Sequence, residues 1–522
     1  MSSPLPHASS PTLDAGPARV TLRNAPALPY DGAIAAARTC YAPRVIGAAE
    51  ITERQRETIG KLTFEAGHHT VYQHATFEFG LENVSRQFVW SALHSYPFYN
   101  SEQQSQRYVK LGEPKAYVPP LDGEARDVYE RAILDAWASY ARLSALLKDD
   151  TFRILKGLRN LTPRASADRL KAVEREAEKK AIETARYVIP VAAHTAMVHT
   201  ISGLTLYRLL RMARASDTPH EARAVIGAMV EAVRQHDPAF IDRIDIVALE
   251  ADEVVEYRFP KPRAGGDEAA ARFDREMGGR VATLVDWSPN AEAVIADAVR
   301  AVFGADDRDL PDDEALDRLL NPARNPYRLD TINVAYHSPL MRTLQHASYT
   351  FRKRLSHTAD SQDQRHRMVP GSRPLMAFTD TRRPDVVTPR MIRANPAALA
   401  EYNAAIARAW EAKNRLLDLG VPLEFAQYLL PNAKVIRFVE SGQLIALLHK
   451  WTMRTCFNAQ EEIYAASMEE IEQVRAVHPR LTRFIGPPCV VRNGLVSPRC
   501  TEGTKFCGVP VWRDFPHATR LL

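Results

Sequence analysis

An α+β fold of two homologous domains, each a small and mostly antiparallel sheet covered by long helices, is predicted by three features of this 522-residue sequence. Apolar residues recur at three- and four-residue spacing over long stretches. Runs with strand character are short and few. Finally, several short motifs occur twice in the same order, roughly 240 to 260 positions apart, which is the mark of a duplication and not of a solenoid with its period of about 20 to 50 residues.

Taken in order, residues 1–18 are rich in Ser and Pro and predict a floppy start. Arg19–Leu22 predicts a strand leading into the helical pattern AIAAARTCY, and Thr76–Leu81 alternates as a second strand should. Helices are expected over Glu124–Lys148, Ala165–Ala185 and Pro219–Gln235. Two Gly pairs and dense charge between Lys261 and Arg280 predict a linker at 261–278, separating domains at 19–260 and 279–522. Beyond it the pattern restarts: a strand at Arg280–Val285, the helical run AEAVIADAVRAVF, a strand at His346–Arg352, then helices over Ala397–Leu419 and Gly442–Val474. QSQRY (Gln104–Tyr108) pairs with QDQRH (Gln362–His366), and ARYVIP (Ala185–Pro190) with AQYLLP (Ala426–Pro431).

Composition narrows the function. With 68 Lys+Arg against 63 Asp+Glu the net charge is +5, too slight over this length for a histone-like nucleic-acid binder, so any anion site must be local. Five cysteines are few and odd in number, which suits reduced thiols and a cytoplasmic location. No apolar run is long enough to cross a membrane and no secretory leader is recognisable. Cys489, Cys500 and Cys507, with His517, have gaps too long for a zinc knuckle, so no metal is expected. The nucleotide-binding glycine motifs and the nucleophile elbow are missing.

Three segments carry the candidate chemistry. Gly67–His74 holds three histidines, of which His74, at the mouth of a strand, is the best placed to orient a polar ligand; capping or surface roles are the alternative for each. NSEQQSQRY (Asn100–Tyr108) is dense in amide, hydroxyl and guanidinium groups. Arg107 can present a bidentate fork to a phosphate, with Ser105 and backbone N–H groups adding short bonds, unless the loop is simply a solvated turn. Arg352-Lys353-Arg354, with Arg365 and Arg367 following, forms a cationic patch whose mutual repulsion an anion would relieve. A solvated charged face or an RNA-binding strip are the other readings, the latter with little aromatic interleaving. Arg454 lies in the last long helix.

Together and in order, AARTCYAP (Ala36–Pro43), GHHTVYQHATFEF, VSRQFV (Val84–Val89), SEQQSQRYV (Ser101–Val109) and ARYVIP resemble the flavin-dependent thymidylate synthases. The second half, with RKRLSHTADSQDQRH, AQYLLPNA, MRTCFNAQEEI and the FIGPPC to FCG tail, is similar to the same family. The family signature is an Arg-His-Arg triplet followed by Ser-x-Arg-Tyr. Here the first half keeps Ser105-Gln106-Arg107-Tyr108 but has His94-Ser95-Tyr96 at the expected triplet, while the second has Arg352-Lys353-Arg354 but Asp363-Gln364-Arg365-His366 at the phosphate loop. The resemblance implies reductive methylation of dUMP, with methylenetetrahydrofolate as carbon donor and NADPH-reduced FAD as hydride carrier. It implies dUMP contacts from Ser105, Gln106, Arg107, Arg186, Gln364, Arg365 and Arg454, FAD contacts from Arg352, Lys353, Arg354, His74 and His449, and catalytic roles for Arg454 and His74. Because the family is tetrameric with sites between subunits, a homodimer of fused chains is expected, with small-molecule substrates and no nucleic-acid partner. The divided signature leaves a non-catalytic relative that holds flavin or nucleotide as the alternative.

Overall fold

The computed structural model describes residues 13–162, 164–258 and 265–522. The first half runs β1 (Arg19–Asn24), α1 (Pro29–Thr39), β2 (Thr76–Ser85), β3 (Asn100–Gln103), α2 (Gly123–Leu158), α3 (Ala167–Ala185), β4 (His194–Ser202), α4 (Gly203–Met212) and α5 (Pro219–His236). A helix α6 (Gly266–Met277) follows. The second half then repeats the plan with β5 (Ala282–Trp287), α7 (Ala291–Phe303), β6 (Ser348–Ser356), α8 (His357–Asp363), β7 (Gly371–Ser372), α9 (Pro396–Asp418), β8 (Val435–Gln443), α10 (Leu444–Arg454) and α11 (Glu461–Val477). Each half forms a four-stranded antiparallel sheet, in the orders β1-β2-β4-β3 and β5-β6-β8-β7. The chain is thus an α+β duplication.

Strand pairing fixes which residues correspond. Both β4 and β8 have nine residues and feed directly into a helix, so their positions differ by 241. Pairing across to β2 and β6 places Ser85 opposite His194 and Ser356 opposite Val435, making Ser85 and Ser356 counterparts. QDQRH therefore does not correspond to QSQRY: it lies at and just past the end of α8, whereas QSQRY follows β3, whose counterpart is β7. Likewise Arg352 and Lys353 occupy the places of Gly80 and Leu81 within β2, not of His94-Ser95-Tyr96. Backbone pairing, and not the likeness of short motifs, sets the register between the halves.

Other expectations shift with them. The strands β3, β4, β7 and β8 are not among those the sequence predicts. Along β4, inward-facing Thr195 and His199 alternate with outward His194 and Val198, so polarity does not follow the pleat. The helix expected over Gly442–Val474 is two, α10 and α11, broken at Thr455–Gln460, where the Gln460 side chain accepts from the N–H groups of Glu462 and Ile463 and starts α11. The segment expected as linker is largely α6, with 261–264 outside the described residues. Of the floppy start, 1–12 lie outside them too, while Leu13 packs on the core and Asp14 bridges Lys115.

Two apolar cores lie each within one half, around Phe77, Phe79 and Tyr207, and around Tyr349, Phe351 and Trp451. A third is shared. It takes Tyr129, Trp137, Tyr187 and Ile189 from the first half and Tyr402, Trp410, Tyr428 and Leu430 from the second. Pro190 and Pro431 pair antiparallel at its middle, with Val191 N–H donating to Leu430 O at 2.8 Å and Asn432 N–H to Ile189 O at 2.8 Å. The halves are therefore joined about a local pseudo-twofold axis at the two motifs ARYVIP and AQYLLP.

Candidate functional site

Serine caps at the strand ends show how closely the halves are interlocked. Ser85 accepts from Phe88 N–H at 2.9 Å and starts a short helical turn, while its own N–H and hydroxyl donate to the buried Glu221 at 2.7 and 2.6 Å. Ser356 does the same for α8, donating to buried Glu462 at 2.7 and 2.6 Å. Each glutamate is completed by a tyrosine of the other half: Tyr428 donates to Glu221 at 2.6 Å, and Tyr187 donates to Glu462. Burial pushes Glu221 up to about 7 and raises Glu462 as well.

These caps place Arg86 one residue beyond β2, in the cleft between halves. Arg86 is 7% exposed and its Nε has no partner. Burial, with Arg186 and Arg365 nearby, pulls its pKa down to about 9. Arg186, 2% exposed, donates from Nε to Glu183 O at 3.1 Å and leaves one Nη unpartnered. Burial and the neighbouring Arg107 weigh against its charge. From the second half, Arg454 donates to His366 Nε2 at 2.8 Å and Gln362 O at 3.0 Å, with no carboxylate bonded to it. Burial, then Arg365 and Arg107, take it down to about 10. Arg107 bonds Glu183 at 2.6 Å and reaches across to Asn458 O at 2.6 Å. Five guanidinium groups thus crowd one inter-half site, and Glu183 is the one carboxylate among the described residues that bonds any of them directly. Such an arrangement can act as a socket for an anion, since a phosphate would satisfy the orphaned N–H donors and reverse the repulsion.

The structure brings together Arg107, Arg186, Arg365 and Arg454 from the expected set and adds Arg86, which the sequence reading passed over inside VSRQFV. Its signal was a cation directly after an alternating strand, where a core residue is the norm. Ser105 accepts from Arg107 N–H at 3.2 Å. Gln106 is buried, accepting from Asn432 Nδ2 at 3.1 Å while its Nε2 stays unpartnered. His449, on α10, has its ring 6.0 Å from that of His366, and burial and Arg454 lower its pKa. Gln364 faces a different cavity, donating to Trp90 O at 3.2 Å.

The remaining expected residues are elsewhere. His74 is exposed at the end of a short turn before β2. Arg352 and Arg354 point out of β6 to Glu276 and Asp274 of α6. Lys353, on the opposite face, is fully buried: its Nζ lies 2.6 Å from Asp363, 3.2 Å from Glu440 and 3.0 Å from Glu470, and Lys450 joins the same network. By the strand and helix correspondences, Leu81, Leu209, His199 and Met229 stand where Lys353, Lys450, Glu440 and Glu470 do, so the first half fills with mostly apolar side chains what the second fills with charge. Arg352, Lys353, Arg354, His74 and His449 consequently form no common cradle, and this residue set does not fit a flavin within one chain.

A cleft of about 600 Å³ opens beside Arg107, lined also by Tyr108, Arg175, Lys179, Asn458 and Lys505. Arg107 and Lys505 flank the Tyr108 ring at 5.5 and 5.3 Å, and Asn458 Nδ2 ties this wall to Lys505 O at 2.7 Å. All five cysteines are free thiols; burial pushes Cys456 up to about 11. Among the described residues no group of three or more His, Cys, Asp or Glu could hold a metal ion, and no helix is long and apolar enough to cross a membrane.

Comparison with known proteins agrees with the duplication. The family model described as "Thymidylate synthase complementing protein" matches residues 29–239 and again 283–480, and the chain belongs to this family. Among its relatives are proteins named flavin-dependent thymidylate synthase from Geobacter sulfurreducens, 30% identical over 43% of this chain and 92% of the relative, and Clostridium tetani, 29% identical over 39% and 77%. Another, from Sulfurisphaera tokodaii, is 32% identical over 32% of this chain and 72% of its own length.

Proposed function

We propose that this chain is a thymidylate synthase that converts dUMP to dTMP, with methylenetetrahydrofolate as carbon donor and NADPH-reduced FAD as hydride carrier. The arginine socket is its nucleotide site. The observation that carries the reading is the convergence of Arg86, Arg107, Arg186 and Arg454 from two domains, with buried N–H donors left over. In it, Arg107 with Ser105 and the loop N–H groups grips the phosphate, Arg186 and Arg454 neutralise it from opposite walls, and Gln106 offers its free Nε2 to the substrate. Neutral His366, its pKa lowered by burial and by Arg454, fixes that arginine's direction. These groups position and hold charge; they transfer no proton. The basic cleft beside Tyr108 is the approach for anionic substrates.

A second reading has a specific observation behind it. Arg352 and Arg354 are paired with Glu276 and Asp274, and the residues expected to hold the flavin do not come together. That arrangement also suits a member of the family that binds nucleotide without catalysis. We further propose domains at 19–260 and 279–522, a cytoplasmic location and a homodimer, within which a partner copy supplies the missing flavin contacts. Rescue of a thymidine-requiring host, with release of FAD from the denatured protein, supports the synthase. A colourless protein that binds dUMP yet cannot be reconstituted with FAD leaves only the second reading.

A further inference from the structure

The pseudo-twofold axis generates a counterpart to the arginine socket, and it has been rebuilt. Arg86 is replaced by His357, Arg186 by Gln427 and Arg454 by Ala213, following the pairings of β2 with β6 and β4 with β8. The loop after β7, at Leu375–Ala377, stands where Ser105–Arg107 follows β3, and it has no cation. Two of its N–H groups are already taken: Met376 N–H donates to Asp217 at 2.6 Å and Ala377 N–H at 3.2 Å, with Gln87 Nε2 donating to the same carboxylate at 3.4 Å. An internal carboxylate, 2% exposed, therefore fills the anion position and repels any phosphate that approaches.

What remains beside it is open. A cavity of about 600 Å³ lies between the halves, walled mainly by Trp90, Tyr96, Phe98, Leu375 and Phe378. Of the two cations that line it, Arg373 is locked in two 2.7 Å bonds to Asp360, and Arg208 lies with its guanidinium 5.6 Å over the Phe98 ring, facing a cavity that also carries the Asp217 and Glu256 carboxylates. Three lining side chains keep buried polar atoms with no partner: the Gln364 Oε1 acceptor, the Tyr96 hydroxyl and the Ser91 hydroxyl. Gln364 is 6% exposed overall. Buried polar atoms are rarely left unmatched in a finished core, and an aromatic-walled cavity with a few converging polar groups is the form small-molecule sites take.

We propose that this second composite cavity binds an uncharged, fused-ring aromatic molecule bearing both a hydrogen-bond donor and an acceptor, and excludes phosphorylated ligands. The donor meets Gln364 Oε1, the acceptor takes the Tyr96 hydroxyl, and the rings stack among Trp90, Phe98 and Phe378. The proposal goes beyond the reading of the arginine socket and does not depend on it. The test is calorimetry on the full-length protein with isoquinolin-1-one, a neutral bicyclic lactam, against 1-naphthyl phosphate, with dUMP titrated separately. The lactam is expected to bind once per chain, at least tenfold tighter than the phosphate, undisplaced by dUMP. Leu375→Trp or Met212→Trp, each filling the cavity from a different wall, should weaken it at least tenfold and leave dUMP affinity unchanged. Lactam binding that survives both substitutions in folded protein, competition with dUMP, no lactam binding at all, or equal affinity for the phosphate overturns the proposal. Failure of dUMP to bind bears only on the first socket.

Discussion

At the scale of single residues, charge without a partner is what marks this molecule. A charge-assisted hydrogen bond is worth about 1.5–3 kcal/mol, so Arg107→Ala or Arg454→Ala should weaken dUMP binding roughly 10- to 150-fold, measured by calorimetry. Arg352→Ala, facing α6, should leave it within twofold. Glu221 supplies a pH signature. Its pKa rises from 4.5 to about 7 on folding, so the folded state holds the proton more tightly. Its contribution is then full below pH 4.5 and lost as pH rises through about 7. Glu221→Gln keeps a hydrogen-bonding side chain without the titration, and the fall in Tm between those pH values should flatten relative to wild type. A parallel curve would show that other groups, Glu462 first, govern it.

At the scale of elements, the caps decide where helices begin. Ser85→Ala removes a 2.9 Å cap and one of three donors to a buried carboxylate; it should cost about 1–3 kcal/mol. The exposed cap of α3, Ser166, accepts at 3.4 Å, and Ser166→Ala should cost less than Ser85→Ala in the same denaturant titration. The sequence made these elements unequally legible. Long helices such as α2, α5 and α9 were readable because their apolar stripes persist through several turns. The inner strands β4 and β8 were not, because His199 and Glu440 face inward and spoil the alternation. Arg107 and Arg186 stood out as arginines in polar or recurring motifs. Arg86 did not, since only the fold shows that it is buried. Nor could Lys353 be placed, because a cation in an exposed strand and one in a buried ion network look alike in one dimension.

At the scale of the whole molecule, the two halves test each other. Where the second half buries Lys353, Lys450, Asp363, Glu440 and Glu470, the first half shows that an apolar filling also folds. Removing one member, as in Lys353→Met, leaves uncompensated buried carboxylates and should cost about 3–5 kcal/mol. Installing the first-half residues together, Lys353→Leu, Lys450→Leu, Glu440→His, Glu470→Met and Asp363→Ala, the last after Ala92, which stands where Asp363 does, should recover most of that loss in denaturant titration. Nucleotide stoichiometry follows from the duplication as well: one dUMP per chain, not two, in a titration at known protein concentration.

In an assembly of identical subunits, every substitution appears in all copies of a site, so none can change without the others. Tying two copies into one polypeptide lifts that constraint. The reciprocal tyrosine–glutamate clasp keeps the pair seated as a unit, while His357, Gln427 and Ala213 show one cleft drifting away from its sibling. Inheritance of a single gene has given this protein two unlike mouths, free to answer to different molecules.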